Sequence, residues 1–407
     1  MNRILALSIL TLTIVFQSFA QNSSLNAGEL FTGDVNTITT AVPFLMIAPD
    51  SRAGAMGDVG VATSPDASSS HWNPAKYAFV ESDMSLSISY TPWLRQLVND
   101  INLAYVSGYK RMDKNQVIGF SLLYFSLGDI TFTDNNGSTI GQFKPNEFSI
   151  DGSYARKFSD YLSGSISMRY IYSNLTGGQF VQGIESYPGQ SVSADVSTFY
   201  TREIRMGDRD GNLAFGLNIS NIGQKISYTE NQERDFIPIN LRLGSALETE
   251  LDEYNQLTVA FDINKLLVPT PPEYDGEGRL PENILFGKDP NVSVPVGMFR
   301  SFNDAPGVLM SDSTRSVFKE EIREFTYGLG LEYWYDKQFA IRGGYFYEHE
   351  TKGNRKYFSL GLGLRLKVFG LDFAYLIPQK QNNPLANTLR FSLIFNFDGL
   401  REEANVN

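Results

Sequence analysis

Chemistry has few residue types to draw on in this chain. Histidine occurs only as His71 and His349, and cysteine is absent. A Ser-His-Asp hydrolase would need one of those histidines as its base. His71 follows Ser68, Ser69 and Ser70 and lies near Asp66, so a hydrolytic site is one reading of that stretch. The preferred reading is that His71 and Trp72 anchor their segment by packing and hydrogen bonds. Asp208-Arg209-Asp210-Gly211-Asn212 resembles the start of a calcium loop but lacks its further carboxylates and bidentate Glu, and reads better as a short turn. No GxxxxGK(S/T) phosphate loop occurs, and Gly328, Gly330, Gly361 and Gly363 fall in strand-like runs, where they would admit whatever fills the space behind them. Lack of Cys removes thiolate nucleophiles, Cys-ligated zinc, disulfides and a lipid-modified N-terminal Cys together. No catalytic residue, metal or cofactor is expected. The net charge of −11 argues against nucleic acid as a partner.

What these residues can do depends on the elements that hold them. Arg3, the apolar run Ile4 to Phe16 and the small-x-small site Ser18-Phe19-Ala20 form a secretory signal peptide over 1–20, with the mature chain expected to start at Gln21. Beyond it no apolar run approaches the ~20 residues of a spanning helix, and the mean hydropathy is −0.20. A membrane crossing would therefore use strands. Aromatic residues reach 13% and charged residues only 19%, below the ~25% charge of ordinary soluble domains.

From Met84 onward the pattern alternates with period 2. In Phe358 to Lys367 one face reads Phe, Leu, Leu, Leu, Leu and the other Ser, Gly, Gly, Arg, Lys. Strands are expected near 83–91, 101–110, 116–126, 147–157, 162–175, 191–202, 210–220, 239–249, 255–264, 325–335, 338–348, 356–367, 369–377 and 388–397. A soluble β-sandwich would alternate as well, so connection lengths decide. Even-numbered connections are short, such as Glu203 to Arg209 and Val368. The odd ones are mostly long: 92–100, 127–146, 176–190, 221–238, 265–324, 349–355 and 378–387. Short turns on one rim and long loops on the other characterise outer-membrane barrels, with the long loops outside the cell. The expected fold is all-β, a transmembrane antiparallel barrel of about fourteen strands over 81–398. An even strand count places both termini in the periplasm, with 21–40 as a periplasmic segment and 399–407 as a periplasmic tail.

Charged residues fall on the non-apolar face of these strands: Asp151, Arg169, Arg242, Asp262, Glu332, Arg342, Arg365, Asp372 and Arg390. Facing lipid, each Arg near the midplane would cost about 2–4 kcal/mol. They are read as a lumenal network bracing the wall, in preference to a catalytic or conducting set. Residues 41–80, rich in Gly, Ala, Ser and Asp, are too polar and irregular to lie in lipid, and a plug within the lumen is their expected place. The 265–324 connection carries seven of the seventeen prolines together with Phe286, Phe299, Phe302, Leu309 and Met310. Long loops of this kind are usually functional or disordered, and the apolar content argues against disorder.

The run RAGAMGDVGVATSPDASSSHWNPAKYA from Arg52 to Ala78 resembles the N-terminal hatch of the FadL-like outer-membrane family, whose Asn-Pro-Ala motif is matched by Asn73, Pro74 and Ala75. Arg52, Gly54, Gly57, Asp58 and Gly60 fall in the same motif. Within that group, AVPFLMIAPDSRAGAMGDVG from Ala41, GMFRSFNDAPG from Gly297 and the Phe318 to Glu348 run resemble the PorV family, the barrel component of the Bacteroidota type IX secretion system. Val308 to Val317 lengthens the large loop relative to the family. The resemblance implies a non-enzymatic outer-membrane barrel, set among outer-membrane lipids, that accepts cargo bearing a C-terminal signal domain from the giant translocon barrel. It would deliver that cargo to a surface sortase complex. Loops 127–146, 176–190 and 265–324 would bind, with Phe286, Met298, Phe299, Phe302, Leu309 and Met310 as apolar contacts. The alternatives are a FadL-like importer of hydrophobic small molecules and, third, a lipid A deacylase using His71.

Overall fold

The computed structural model describes residues 35–93, 100–133, 139–178, 180–181, 184–229, 234–275, 280–379 and 388–398. The expected signal peptide, residues 21–34 and the 399–407 tail lie outside the described residues.

Alternation of apolar and small polar residues produces fourteen wall strands. They are β1 Met84–Pro92, β2 Ile101–Arg111, β3 Gln116–Leu127, β4 Asn146–Lys157, β5 Leu162–Asn174, β6 Gly189–Met206 and β7 Arg209–Gly223, followed by β8 Asn240–Glu250, β9 Asn255–Leu266, β10 Thr326–Tyr335, β11 Phe339–Tyr347, β12 Lys356–Arg365, β13 Phe369–Pro378 and β14 Leu389–Asn396. They form one closed barrel in chain order. Closure is made by β1 on β14, where Ser85 pairs with Asn396 and Tyr90 with Phe391. Each expected strand is present. The turn expected at Glu203–Arg209 is tighter than read: β6 and β7 extend to leave Gly207–Asp208, with Gly207 at φ 67°. Gly207 supplies the left-handed backbone that such a two-residue hairpin demands. At the other extreme, the expected one-residue connection at Val368 widens to Leu366–Val368.

The phase of the strands puts apolar side chains outside. Ile166, Met168, Tyr170, Phe358, Leu360 and Leu362 are exposed, while Ser165, Ser167, Arg169 and Ser359 between them are buried. This inversion of the soluble pattern suits a wall whose outer solvent is hydrocarbon. Neighbouring strands are antiparallel throughout, so odd and even connections emerge at opposite rims.

Residues 41–80 lie inside the wall. They contain two short α-helices, α1 Ser51–Ala55 and α2 Ser69–Trp72, and a 3-10 turn at Pro74–Phe79. Asp50 caps α1 by accepting from Ala53 N at 3.0 Å, and Asn73 caps the following turn by accepting from Ala75 N at 3.1 Å. Close approach of wall and segment depends on glycine: a Cβ at Gly344 on β11 would collide with the backbone of Met56 and Gly57, and Gly57 itself sits at φ 71°. Gly328, Gly330 and Gly361 likewise face Gly57, Met56 and Ala55, whereas Gly363 makes room for Arg342 and Asp372.

One expectation is corrected here. Residues 35–40 do not lie with the short turns: Asn36 N donates to Thr351 O at 3.0 Å, and Ala41 N, just after them, to Phe236 O at 2.9 Å, both on long connections. Strand parity fixes where β1 begins, at the short-turn rim, but a segment that crosses the lumen before β1 must start at the other rim. The main apolar core marks that upper end, where Phe44 and Leu45 pack with Leu103, Phe125, Ile171, Ile237 and Val268.

Candidate functional site

Two sets of residues stand out, one within the barrel and one on the long-loop rim. In the lower lumen, Glu332 on β10 accepts from Arg52 Nε and Nη2 at 3.0 and 2.7 Å and from Arg342 Nε at 2.6 Å. Arg342 continues to Asp372 at 2.7 Å, which also binds Arg365 at 2.7 Å. Arg52 reaches back to Asp66 at 2.9 Å. The chain of alternating charge thus runs from the inner segment through four wall strands, β10 to β13. Higher up, Arg390 pairs with Asp58 at 2.9 Å, and the Tyr357 hydroxyl also meets Asp58. On the opposite wall, Arg169 lies between Asp151 and Asp195 and also meets Asn221. Buried charges on this scale persist because each has an opposite partner.

Arg242 and Asp262 were expected in the same network but have a different job. Asp262 accepts from Gly60 N and Val61 N at 2.8 and 3.0 Å, and Arg242 donates to the His71 carbonyl at 2.9 Å. Both hold the backbone of the inner segment. Asn73 does so from the other side, donating to Val61 O and to Thr198 O on β6 at 3.0 Å each. Pro74 and Ala75 are buried beside it, and Gly54 leaves room for the Arg390 side chain.

Ser68 and Ser69 are engaged elsewhere, while the Ser70 hydroxyl is buried without a hydrogen-bond partner among the described residues. Ser69 Oγ donates to Asp66 at 3.2 Å and Ser68 Oγ to Ser87 at 3.3 Å, while the His71 ring faces Arg242 and packs edge-on against Trp72 at 4.9 Å. Trp72 Nε1 donates to Asp50 at 2.6 Å. Below this layer a cavity of about 780 Å³ opens toward the short turns, lined by Arg52, Trp334, Arg365 and Glu248 among others.

The rim site is built by the 265–324 connection, which contains α3 Val294–Arg300 and α4 Val317–Arg323. Ser316 caps α4 by accepting from Lys319 N at 3.3 Å. The helix is inverted: Glu320 and Glu321 are buried, yet Phe318 is 74% exposed and Ile322 46%. Its acids are buried because two lysines lie beneath. Lys265, at the end of β9, contacts Glu321 at 3.0 Å and Glu324 at 2.5 Å, and Lys352 contacts Glu320 at 2.7 Å and Glu324 at 3.0 Å. Glu321 also accepts from Asp304 N and Ala305 N at 2.8 and 3.1 Å. Asp304 is pushed up to about 7 by burial first and then by Glu321 and Glu324.

Of the residues expected to make contacts, Phe299 is 83% exposed and Leu309 64%. Phe302 and Phe286 are also exposed, but Phe286 lies under the Arg315 guanidinium at 4.0 Å and Phe302 lies by Lys265 at 5.5 Å. Met298 packs against the upper core, and the Met310 sulfur faces Lys319 Nζ at 3.7 Å. Sequence reading missed Phe318, Ile322 and the lysine–glutamate cluster beneath them. The available signal was Phe318 and Ile322 at i and i+4, with Glu320, Glu321 and Glu324 on the other face of a short helix.

No curated protein matches the chain significantly. Among solved structures it is similar to the toluene transporter TodX of Pseudomonas putida, at 9% identity over 89% of this chain and 98% of that one, with a TM-score of 0.47. A Pseudomonas aeruginosa FadL homologue is 12% identical over 89% and 99% of the two chains, TM-score 0.44. The Ralstonia pickettii toluene transporter TbuX is 13% identical over 86% and 96%, TM-score 0.42. The family model for type IX secretion system protein PorV matches residues 31–273, more than half of the chain. The chain therefore belongs to the PorV family and is an outer-membrane barrel of the type IX secretion system.

Proposed function

We propose that this barrel is a membrane-embedded platform that captures secreted proteins by their C-terminal signal domain. In this reading the long loops face outward, the short turns and C-terminus lie in the periplasm, and residues 41–80 serve as the hatch. The barrel sits against the giant translocon barrel, receives cargo at its outer rim and passes it to the surface sortase complex. It acts by reversible binding, without catalysis. The observation that carries the reading is the inverted helix α4. With its acids held inward by lysines, the helix leaves Phe318 and Ile322 exposed on the same loop as exposed Phe299 and Leu309, and exposed apolar side chains grouped on one loop suit cover by another surface. The surrounding loops 127–146 and 176–190 complete the same rim. The buried charges of the lumen favour this role over import of hydrophobic molecules, which would need an apolar path through them.

The test is the combined variant Phe299→Ser, Phe318→Ser, expressed beside the parent and a barrel lacking 280–312. Each barrel is purified from outer membranes, and co-purification of a tagged cargo signal domain is measured. Capture should fall at least tenfold in the double variant, because exposed aromatic anchors dominate such contacts. Undiminished capture by either altered barrel, with insertion unchanged, overturns the rim assignment.

A further inference from the structure

The inner segment crosses the lumen once, and its direction has a consequence. It leaves the lumen into β1 at Met84, which pairs with Lys110 beside the short turn between β2 and β3. At its other end, Asn36 lies among long connections. Its backbone N–H donates to Thr351 O at 3.0 Å, and its side-chain amide donates to Pro271 O at 3.1 Å and to Glu320 Oε1 at 3.0 Å. Ile38 packs on the upper apolar core, and Ala41 N donates to Phe236 O at 2.9 Å. Because the wall closes through β1 and β14, a chain held at both ends in this way has passed through the barrel and not around it.

We infer that the chain enters the barrel from the long-loop rim, and that residues 35–40 lie on that rim as a strap over the 265–324 loop. Glu320 is the joint. It accepts from Asn36, from Lys352 at 2.7 Å and from Gly307 N at 2.7 Å, so the strap, the 349–355 connection and the large loop meet on one carboxylate. Loop 265–324 is thereby tied to the inner segment as well as to the wall. Which side of the membrane this rim faces rests on the orientation proposed above; that the strap shares the rim with the large loop does not.

The chain has no Cys, so single cysteines report without background. Val35→Cys on the strap (59% exposed), Ser311→Cys on the large loop and Lys114→Cys on the β2–β3 turn are treated in intact cells with a membrane-impermeant maleimide, then again after permeabilisation. Val35→Cys should label before permeabilisation to the same extent as Ser311→Cys, and Lys114→Cys only after it. Val35→Cys behaving like Lys114→Cys overturns the inference. If Lys114→Cys labels first while the other two are protected together, the shared rim is supported and the proposed orientation is what fails. The strap has its own readout in the purified barrel. Asn36→Ala removes two side-chain hydrogen bonds and should speed protease cleavage within 265–324 by about tenfold; an unchanged cleavage rate overturns the strap.

Discussion

Replacing Glu332 by Ala isolates what the interior network contributes. Glu332 is 1% exposed and takes three hydrogen bonds from two guanidiniums. Breaking a buried pair by removing one partner costs about 3–5 kcal/mol, because the charge left behind is neither solvated nor paired. Here both arginines keep a second carboxylate, Asp66 for Arg52 and Asp372 for Arg342. The loss should therefore lie at the lower end, about 3 kcal/mol. Glu332→Gln keeps the shape and one acceptor while removing the charge, and should cost about half as much. Urea unfolding of the inserted barrel in lipid vesicles, followed by tryptophan fluorescence, measures both, and Trp334 beside Arg342 at 5.3 Å reports locally. A loss under about 1 kcal/mol for Glu332→Ala refutes the reasoning. It would mean that water from the cavity lined by Arg52, Trp334 and Arg365 solvates the arginines.

Gly344→Val places a branched side chain against the backbone of Met56 and Gly57; it should dislodge the inner segment, making the bond after Arg52 accessible to trypsin, and continued protection would count against the close-approach account. Lys265→Ala leaves Glu321 and Glu324 without their shared cation, and should raise proteolysis within 265–324 while leaving the wall intact, read as unchanged resistance of the barrel to unfolding in detergent. Asp304 supplies a pH dependence. Its folded value of about 7 lies above the ~3.9 of an unfolded Asp, so between those values the folded loop holds a proton that the unfolded one has lost. The loop's stability should therefore fall as pH rises from about 4 to about 7 and then level. In Asp304→Asn the cleavage rate within 265–324 should lose this component, and a parent-like pH profile would disprove it.

The wall was legible because its chemistry is repetitive. Alternation such as Phe358, Leu360, Leu362 against Ser359, Gly361, Gly363 survives without knowledge of any partner, and the sorting of short and long connections favours a membrane barrel over a sandwich. Most of the lumenal charges were legible too, since their phase on strands leaves them only one side to face. What they touch was not. Asp195, Asp66 and Asp58 complete the pairs of Arg169, Arg52 and Arg390, but nothing local marks them as those partners. The place of residues 35–40 was not legible for a related reason: strand parity says where β1 starts and is silent about a segment that traverses the lumen first. Nothing in the sequence singles out Lys265 and Lys352, because their carboxylate partners come from a helix embedded in a loop, where no period extends far enough to reveal an inverted face.

Burying charge beneath the large loop changes what its aromatic side chains can do. A Phe on an unbraced loop must be ordered when a partner arrives, at about 0.5–1.5 kcal/mol for each immobilised side chain and more for the backbone beneath it. In this barrel the ordering is done at folding: Glu320, Glu321 and Glu324 are pinned by Lys265 and Lys352, and Asn36 adds a third tether to the same helix. Phe318 is thus presented on a fixed base, so the proposed association retains more of its apolar gain. In the proposed capture of cargo, the lysine–glutamate cluster contributes to binding without touching the partner. Loosening it would leave every contact residue in the sequence and raise the entropic cost of using them.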